Sequence, residues 1–281
     1  MIRMDKLLFL GSGASVCAGA PTFSNFREKA EKISEKKHKK TLDFWRDNYK
    51  DYNIEEYYTA IEMRELCILP TEITSQDIIE LIATTIERSL KNHKRTPHYY
   101  LANRKELVII TTNWDYLLES YGKRLEKGSI DYYGIEKYSK PLEDPWEEFP
   151  YKIFKLHGSL NWGICKNCNK IYYFDQRDYV DLKNGTATCK TCKSQLQQHI
   201  VPPTFSKLER EKRNQDKEQL NNIWREASHY LASCEYLYFI GYSFPETDAQ
   251  MKIFVTNALR DNQNLKKVIV VTNQKFGKTE D

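Results

Sequence analysis

Five short runs constrain the fold of this chain more than any other feature: KLLFLG from Lys6, ELVIITTN from Glu106, KIFKLHG from Lys152, YLYFIGY from Tyr236 and KKVIVVTN from Lys266. Each is nearly continuously apolar rather than alternating. That is the pattern of a strand buried on both faces, as in a parallel sheet covered by helices. Four of the five end in a small or polar cluster: Gly11-Ser12-Gly13, Thr111-Thr112-Asn113, His157-Gly158-Ser159 and Gly241-Tyr242-Ser243. Open parallel sheets bind ligands at the carboxyl ends of their strands, so these tips are expected to converge on one crevice.

Helical stripes fill the gaps between the runs. Ile54, Tyr57, Tyr58 and Ile61 fall on one face; Ile78, Ile79, Ile82, Ile86 and Leu90 form another, with Thr74 and Asp77 placed to make its capping box. Leu220, Ile223, Trp224, Ala227 and Leu231 repeat the pattern ahead of the fourth run. These stripes are expected to be core. No strand is evident from residue 28 to 100, which reads as a helical insertion, and residues 164–199 form a small cysteine-bearing module. The sheet domain then takes residues 1–27, 101–163 and 200–281.

Composition excludes several classes. Of 281 residues, 29% are charged and mean hydropathy is -0.69, and no apolar stretch is long enough to span a bilayer. At the start, MIRMDKLLFLGSG offers four apolar residues before glycine, too few for a signal-peptide core. A cytoplasmic protein without a membrane partner is expected. The net charge of +4 is modest, and the lysine-rich REKAEKISEKKHKK interleaves Glu with Lys. A solvated helical face accounts for it, so no nucleic-acid partner is implied.

Cys165 and Cys168, then Cys189 and Cys192, form two C-x2-C pairs separated by twenty residues. Each pair on a tight turn presents two thiolates, and two such turns complete a tetrahedral zinc site. Two disulfides are the competing reading, which a cytoplasmic location disfavours. Four thiolates leave no coordination position open to water, so the Zn2+ is expected to be structural. Cys67 and Cys234 are expected in the core. Cys17 lies in the glycine loop with no base visible beside it.

Gly11-Ser12-Gly13 alone is a weak signal. Val16 stands where a third glycine would complete G-x-G-x-x-G, and no acidic strand tip follows about twenty residues later, which argues against an ordinary dehydrogenase. The other tips add chemistry. Asn113 and Asp115 follow one strand and His157 follows another. Asn both donates and accepts hydrogen bonds, and His is suited to take a proton near neutral pH.

The order G-x-G-x-S…G-x-P-x-F, T-x-N-x-D, H-G-S, C-x2-C…C-x2-C and G-x-S resembles the sirtuin family from about residue 7 to residue 273. The resemblance implies an α/β fold, a Rossmann-like parallel sheet with helices on both faces, carrying the helical insertion and a small zinc-ribbon module. It implies NAD+ as substrate. Gly11, Gly13, Ser15, Pro21 and Phe23 would surround its ribose and pyrophosphate, and Asn113 and Asp115 its nicotinamide end. His157 would be the general base, Gly241 and Ser243 would contact the dinucleotide, and Asn273 would lie near the adenosine ribose. Asn113, His157 and Asp115 are thus the expected catalytic residues.

Two departures matter. Deacylases of the family carry an F-G-E segment that pairs with a peptide backbone, where this chain has QHIVPPTFSK; Pro202 and Pro203 cannot donate to such a ladder. The deacylase P-D-F-R becomes Pro21-Thr22-Phe23-Ser24, without its charges. PPTFSK and GYSFPETD are more similar to divergent bacterial sirtuin-like proteins that degrade NAD+ in antiviral defence. An NAD+ glycohydrolase (NADase) releasing nicotinamide and ADP-ribose, in antiphage defence by NAD+ depletion, is therefore expected. A protein-lysine deacylase and a non-catalytic NAD+ or ADP-ribose sensor are the alternatives. So toxic an activity also implies a trigger, so a sensor or assembly partner protein is expected, and a homo-oligomer is a further expectation from the resemblance.

Overall fold

The computed structural model describes residues 6–90, 96–102, 104, 107–125, 130–131, 135–139, 151–175, 178–201, 217–245 and 248–271. Its main sheet contains β1 (Lys6–Leu10), β2 (Val108–Thr111), β3 (Ile130–Asp131), β5 (Tyr151–Lys155), β9 (Tyr236–Ile240) and β10 (Lys267–Val271). These pair entirely in parallel, in the order β10-β9-β1-β2-β5-β3. The five apolar runs are five of its strands. β1 and β2 are buried along their apolar lengths, as expected. β10 differs: Val268, Val270 and Val271 are exposed, because among the described residues it pairs only with β9, at the edge of the sheet.

Helices cover the sheet on both sides. α8 (Lys217–Leu231) and α9 (Ala249–Arg260) set Ile223, Ala227, Leu231, Met251 and Val255 into the core with Leu7, Phe9, Ile110 and Phe154. From β1 the chain adds β2 beside it, passes to β3 at the far edge and comes back to insert β5 between them, and then crosses to the other side of β1 for β9 and β10. The strand order therefore reverses between β1 and β9, a topological switch point.

A second layer of packing lies between β1 and β2. α1 (Phe26–Ile33), α2 (Lys39–Asn48), α3 (Ile54–Leu66), α4 (Ser75–Ser89) and α5 (Pro97–Leu101) form there. The expected stripes close its core: Ile54, Tyr57, Tyr58, Ile61, Ile78 and Ile82 are fully buried, and Trp45 stacks on Tyr57 at 5.0 Å. Asn53 caps α3, and Thr74 with Asp77 forms the capping box of α4. The charged run 27–40 is not wholly a solvated face: His38 is buried with Nε2 3.1 Å from Thr84 Oγ1. Cys234 is in the core as expected, but Cys67 is exposed at the end of α3, beside an exposed Ile68 with φ of 55°.

A second sheet is ordered β4-β7-β6-β8, from Glu136–Lys137, Lys170–Tyr173, Gly158–Cys165 and Gln197–Ile200. β6 runs antiparallel to both β7 and β8. It begins immediately after His157, so the strand that leaves the main sheet's tip continues directly into the cysteine module. α6 (Leu117–Leu125) and α7 (Tyr179–Lys183) complete the described helices.

Candidate active site

The loop after β1 does not stand clear of the protein. Gly11 N–H donates to Ile240 O at 3.0 Å and Gly13 N–H to Gly241 O at 2.8 Å. A Cβ at Gly11 would lie 2.6 Å from Gly241 O, one at Gly13 2.8 Å from it, and one at Gly241 2.1 Å from Ala14 N. Gly241 also has φ of +63°. These glycines let two loops cross at the switch point, so their immediate need is a backbone contact within the protein.

Directly beside that crossing, the polar tips lock together. Thr111 Oγ1 donates to Leu10 O and accepts from the Asn113 N–H, both at 3.0 Å. Asn113 Nδ2 donates to Gly11 O at 2.9 Å and Ser15 Oγ at 3.1 Å. A carbonyl can only accept, so the amide nitrogen must face Gly11, and both its hydrogens are engaged. Oδ1 is the atom left to accept from a ligand. Ser15 Oγ donates to Asp115 Oδ2 at 2.8 Å and lies 3.3 Å from His98 Nε2. Its one proton goes to the carboxylate, so His98 must be protonated on Nε2 to donate in turn.

Asp115 Oδ1 also accepts from Leu117 N–H at 3.2 Å at the start of α6. Lys155, fully buried on β5, donates to Asp115 O and, at 3.0 Å, to Glu119 Oε1. A buried ammonium needs such partners. Lys155 thus clamps the Asp115 backbone from the neighbouring strand.

His157 follows β5 as Asn113 follows β2. Those strands are adjacent, with Thr111 opposite Lys155, so the two side chains emerge from equivalent positions of neighbouring tips. His157 is buried, with Nε2 3.8 Å from Asp248 Oδ2 and its ring 6.4 Å from that of Trp224. The next residue, Gly158, has φ of +73°, and a Cβ there would lie 2.5 Å from His199 O. Only glycine lets the chain turn from β5 into β6 at this point.

One pocket gathers most of these groups. Ser15, Pro21, Phe23, Asn113, Asp115, His157, Gly241 and Ser243 all line it. Gly11 and Gly13 are not among its lining residues, and Asn273 falls outside the described residues, as do Pro202 and Pro203. The helical layer supplies a wall through Phe26, Ile54, Glu55 and Ile86. Trp114, between Asn113 and Asp115, lines the pocket and packs into that layer's core; its buried indole Nε1 finds no acceptor among the described residues. The cavity measures about 70 Å³.

Sequence reasoning missed Glu55, Asp248 and Tyr242, all pocket-lining, and the supporting pair His98 and Lys155. Lys155 carried a signal, a charge interrupting an apolar strand run. Asp248 ends the GYSFPETD motif, and nothing in its spacing announces a partner ninety-one positions away (248 minus 157).

The four module cysteines bring their Sγ atoms within 4.8 Å of one another, with Cys165 and Cys192 at 3.4 Å. Zn–S bonds of about 2.3 Å in a tetrahedron require S···S near 3.8 Å, so the set fits zinc. The two turns repeat each other. Asn169 N–H donates to Cys165 O and Lys193 N–H to Cys189 O, with φ of 54° and 64° at those residues. This cluster could hold a structural metal ion. Among the described residues, no helix is long and apolar enough to cross a membrane.

Residues 107–281 match the SIR2-like domain family. Among solved structures, Sir2Tm bound to a propionylated peptide is 17% identical, over 96% of this chain and 82% of that one, with a TM-score of 0.46. Sir2 with a p53 peptide and NAD+ is 18% identical, over 95% and 80%, with a TM-score of 0.43. No curated protein sequence matches the chain.

Proposed function

From the premise that the chain belongs to the SIR2-like family, we propose that it is an NAD+ glycohydrolase, cleaving the nicotinamide–ribose bond to give nicotinamide and ADP-ribose. The observation that carries this reading is the pairing of Asn113 and His157 on adjacent strand tips in one buried pocket. Binding alone needs no proton acceptor there.

The chemistry follows from the groups present. Nicotinamide leaves as a neutral base, so no general acid is required. The transition state is oxocarbenium-like, as in other glycoside cleavages, and positive charge builds on the ribose. Asp115, Asp248 and Glu55 are buried carboxylates lining the pocket, suited to a cation. Asn113 Oδ1 orients a ribose hydroxyl or the attacking water. His157 takes the water's proton as the new C–O bond forms, so the products are nicotinamide, ADP-ribose and one proton. Ser15, His98 and Lys155 hold Asn113 and Asp115 in place.

Hydrolysis rather than deacylation is supported by the uncharged Thr22 at the pocket and Ser24 beyond it, where deacylases carry charge, and by Pro202 and Pro203 in the segment where deacylases pair with peptide. In this reading the physiological role is antiphage defence by NAD+ depletion, and a sensor, assembly partner or second copy triggers the enzyme by moving the helical wall of the pocket. The test is to incubate the protein with NAD+, alone and with an acyl-lysine peptide. Nicotinamide release with NAD+ alone is the expected result. Release strictly dependent on peptide identifies a deacylase, and saturable NAD+ binding without release identifies a sensor.

A further inference from the structure

Asp248 occupies the N-cap position of α9, where an aspartate ordinarily accepts a hydrogen bond from the first-turn backbone. Here its side chain makes no such cap. The carboxylate turns instead into the pocket. Oδ2 accepts from Tyr242 Oη at 2.8 Å and sits 3.8 Å from His157 Nε2, with both His157 and Asp248 almost wholly buried. That separation is too long for a hydrogen bond to the neutral ring but within reach of charge pairing.

We propose that Asp248 is a positioning residue for His157, steadying the imidazole and balancing the positive charge it acquires on taking the proton. The assignment of His157 as the base rests on the glycohydrolase reading; the pairing itself does not. Tyr242 keeps Asp248 in place as a neutral donor. Burial, and then the charge of Asp248 itself, push the phenol well above its ordinary range. Other charged groups of the pocket come from different elements. Asp115 and Glu55 line the pocket from the β2 tip and from α3, and Lys155 is directed to Asp115 O and Glu119. The neighbour from α8 is the uncharged Trp224.

An opposite charge within about 4–6 Å favours the protonated imidazole, so removing it should lower the pKa of His157 by about 1 to 3 pH units. In turnover the same change moves the acid limb of kcat/KM to lower pH and reduces its plateau roughly tenfold, because a weaker base remains. The decisive experiment needs no NAD+: an NMR titration of the imidazole resonances in the full chain, with His157 assigned by its loss in His157→Gln. Asp248→Asn keeps the shape and an acceptor for Tyr242 while removing the charge. A fall of about one unit or more supports the pairing, and an unchanged His157 pKa in the folded variant overturns it. Should Asp248→Asn fail to fold, Tyr242→Phe decides. It frees Asp248 from a competing donor, so the His157 pKa should rise, and no rise contradicts the proposal. An inactive protein with the expected titration would sink the glycohydrolase reading and leave the pairing intact.

Discussion

Asn113 carries two roles that a single substitution separates poorly. Its amide hydrogens tie Gly11 to Ser15, and its Oδ1 faces the proposed chemistry. A strand-tip residue suggests free truncation, but here Asn113→Ala removes two buried hydrogen bonds and should lower stability by about 1–3 kcal/mol while abolishing NAD+ cleavage. Urea unfolding and nicotinamide release, measured on one preparation, check both. His157→Ala should reduce turnover by roughly 100- to 10,000-fold with the fold retained, the usual cost of losing a general base. Near-normal turnover would remove histidine from the mechanism. Gly241→Ala should destabilise by roughly 2–5 kcal/mol, from left-handed strain and from a Cβ driven into the loop after β1. An unchanged urea midpoint would show that the crossing is not as tight as described. The sequence suggested glycines opposed to a ligand; the space around them belongs to residues 241 and 242, a contact between distant segments that local pattern does not encode.

The elements that could be read from sequence were those with a simple burial rule. β1, β2 and the main helical stripes are buried as their apolar patterns require. β6 was hidden because Ser159 and Asn161 lie fully inside it, satisfied by each other and by Phe174 O rather than by water. β10 looked like a central strand because a run of Val and Ile does not reveal an edge. The cysteine module makes its own prediction: one zinc per chain, lost in Cys189→Ser together with part of the thermal stability, since three thiolates cannot complete the tetrahedron. Elemental analysis without stoichiometric zinc in protein purified without chelator would contradict it. The helical layer gives a pH prediction. Burial, and then Lys37, hold the pKa of His38 below its ordinary 6.5. The unfolded chain therefore binds the extra proton first, and the stability contributed by neutral His38 is present above about pH 6.5 and lost as pH falls through the lowered folded value. Melting temperature should drop between pH 7 and pH 5, and by less in His38→Gln; equal drops in both would place the acid sensitivity elsewhere.

At the scale of the whole molecule, one arrangement ties these parts together. The sheet reverses its strand order beside β1, the tips of β2 and β5 deliver Asn113 and His157 there, and the helical layer packs Trp114 and walls the pocket with Ile54, Glu55 and Ile86. Motif order revealed which tips matter; the carboxylates Glu55 and Asp248 reach the pocket only through tertiary folding. A wall made by a separate helical layer gives that layer a direct hold on the shape of the pocket. Substitutions at the contact of that layer with α7, where Tyr179 and Lys183 meet Glu87, should then change turnover without touching the pocket. The most direct measurement is nicotinamide release from NAD+ alone, without acyl-peptide, by the full chain, set against Asn113→Ala under the same conditions. Release of nicotinamide with stoichiometric ADP-ribose by the wild type, at least about 100-fold above the variant, is the predicted result. Release that requires an acyl-lysine, or that persists undiminished in Asn113→Ala, would contradict the account.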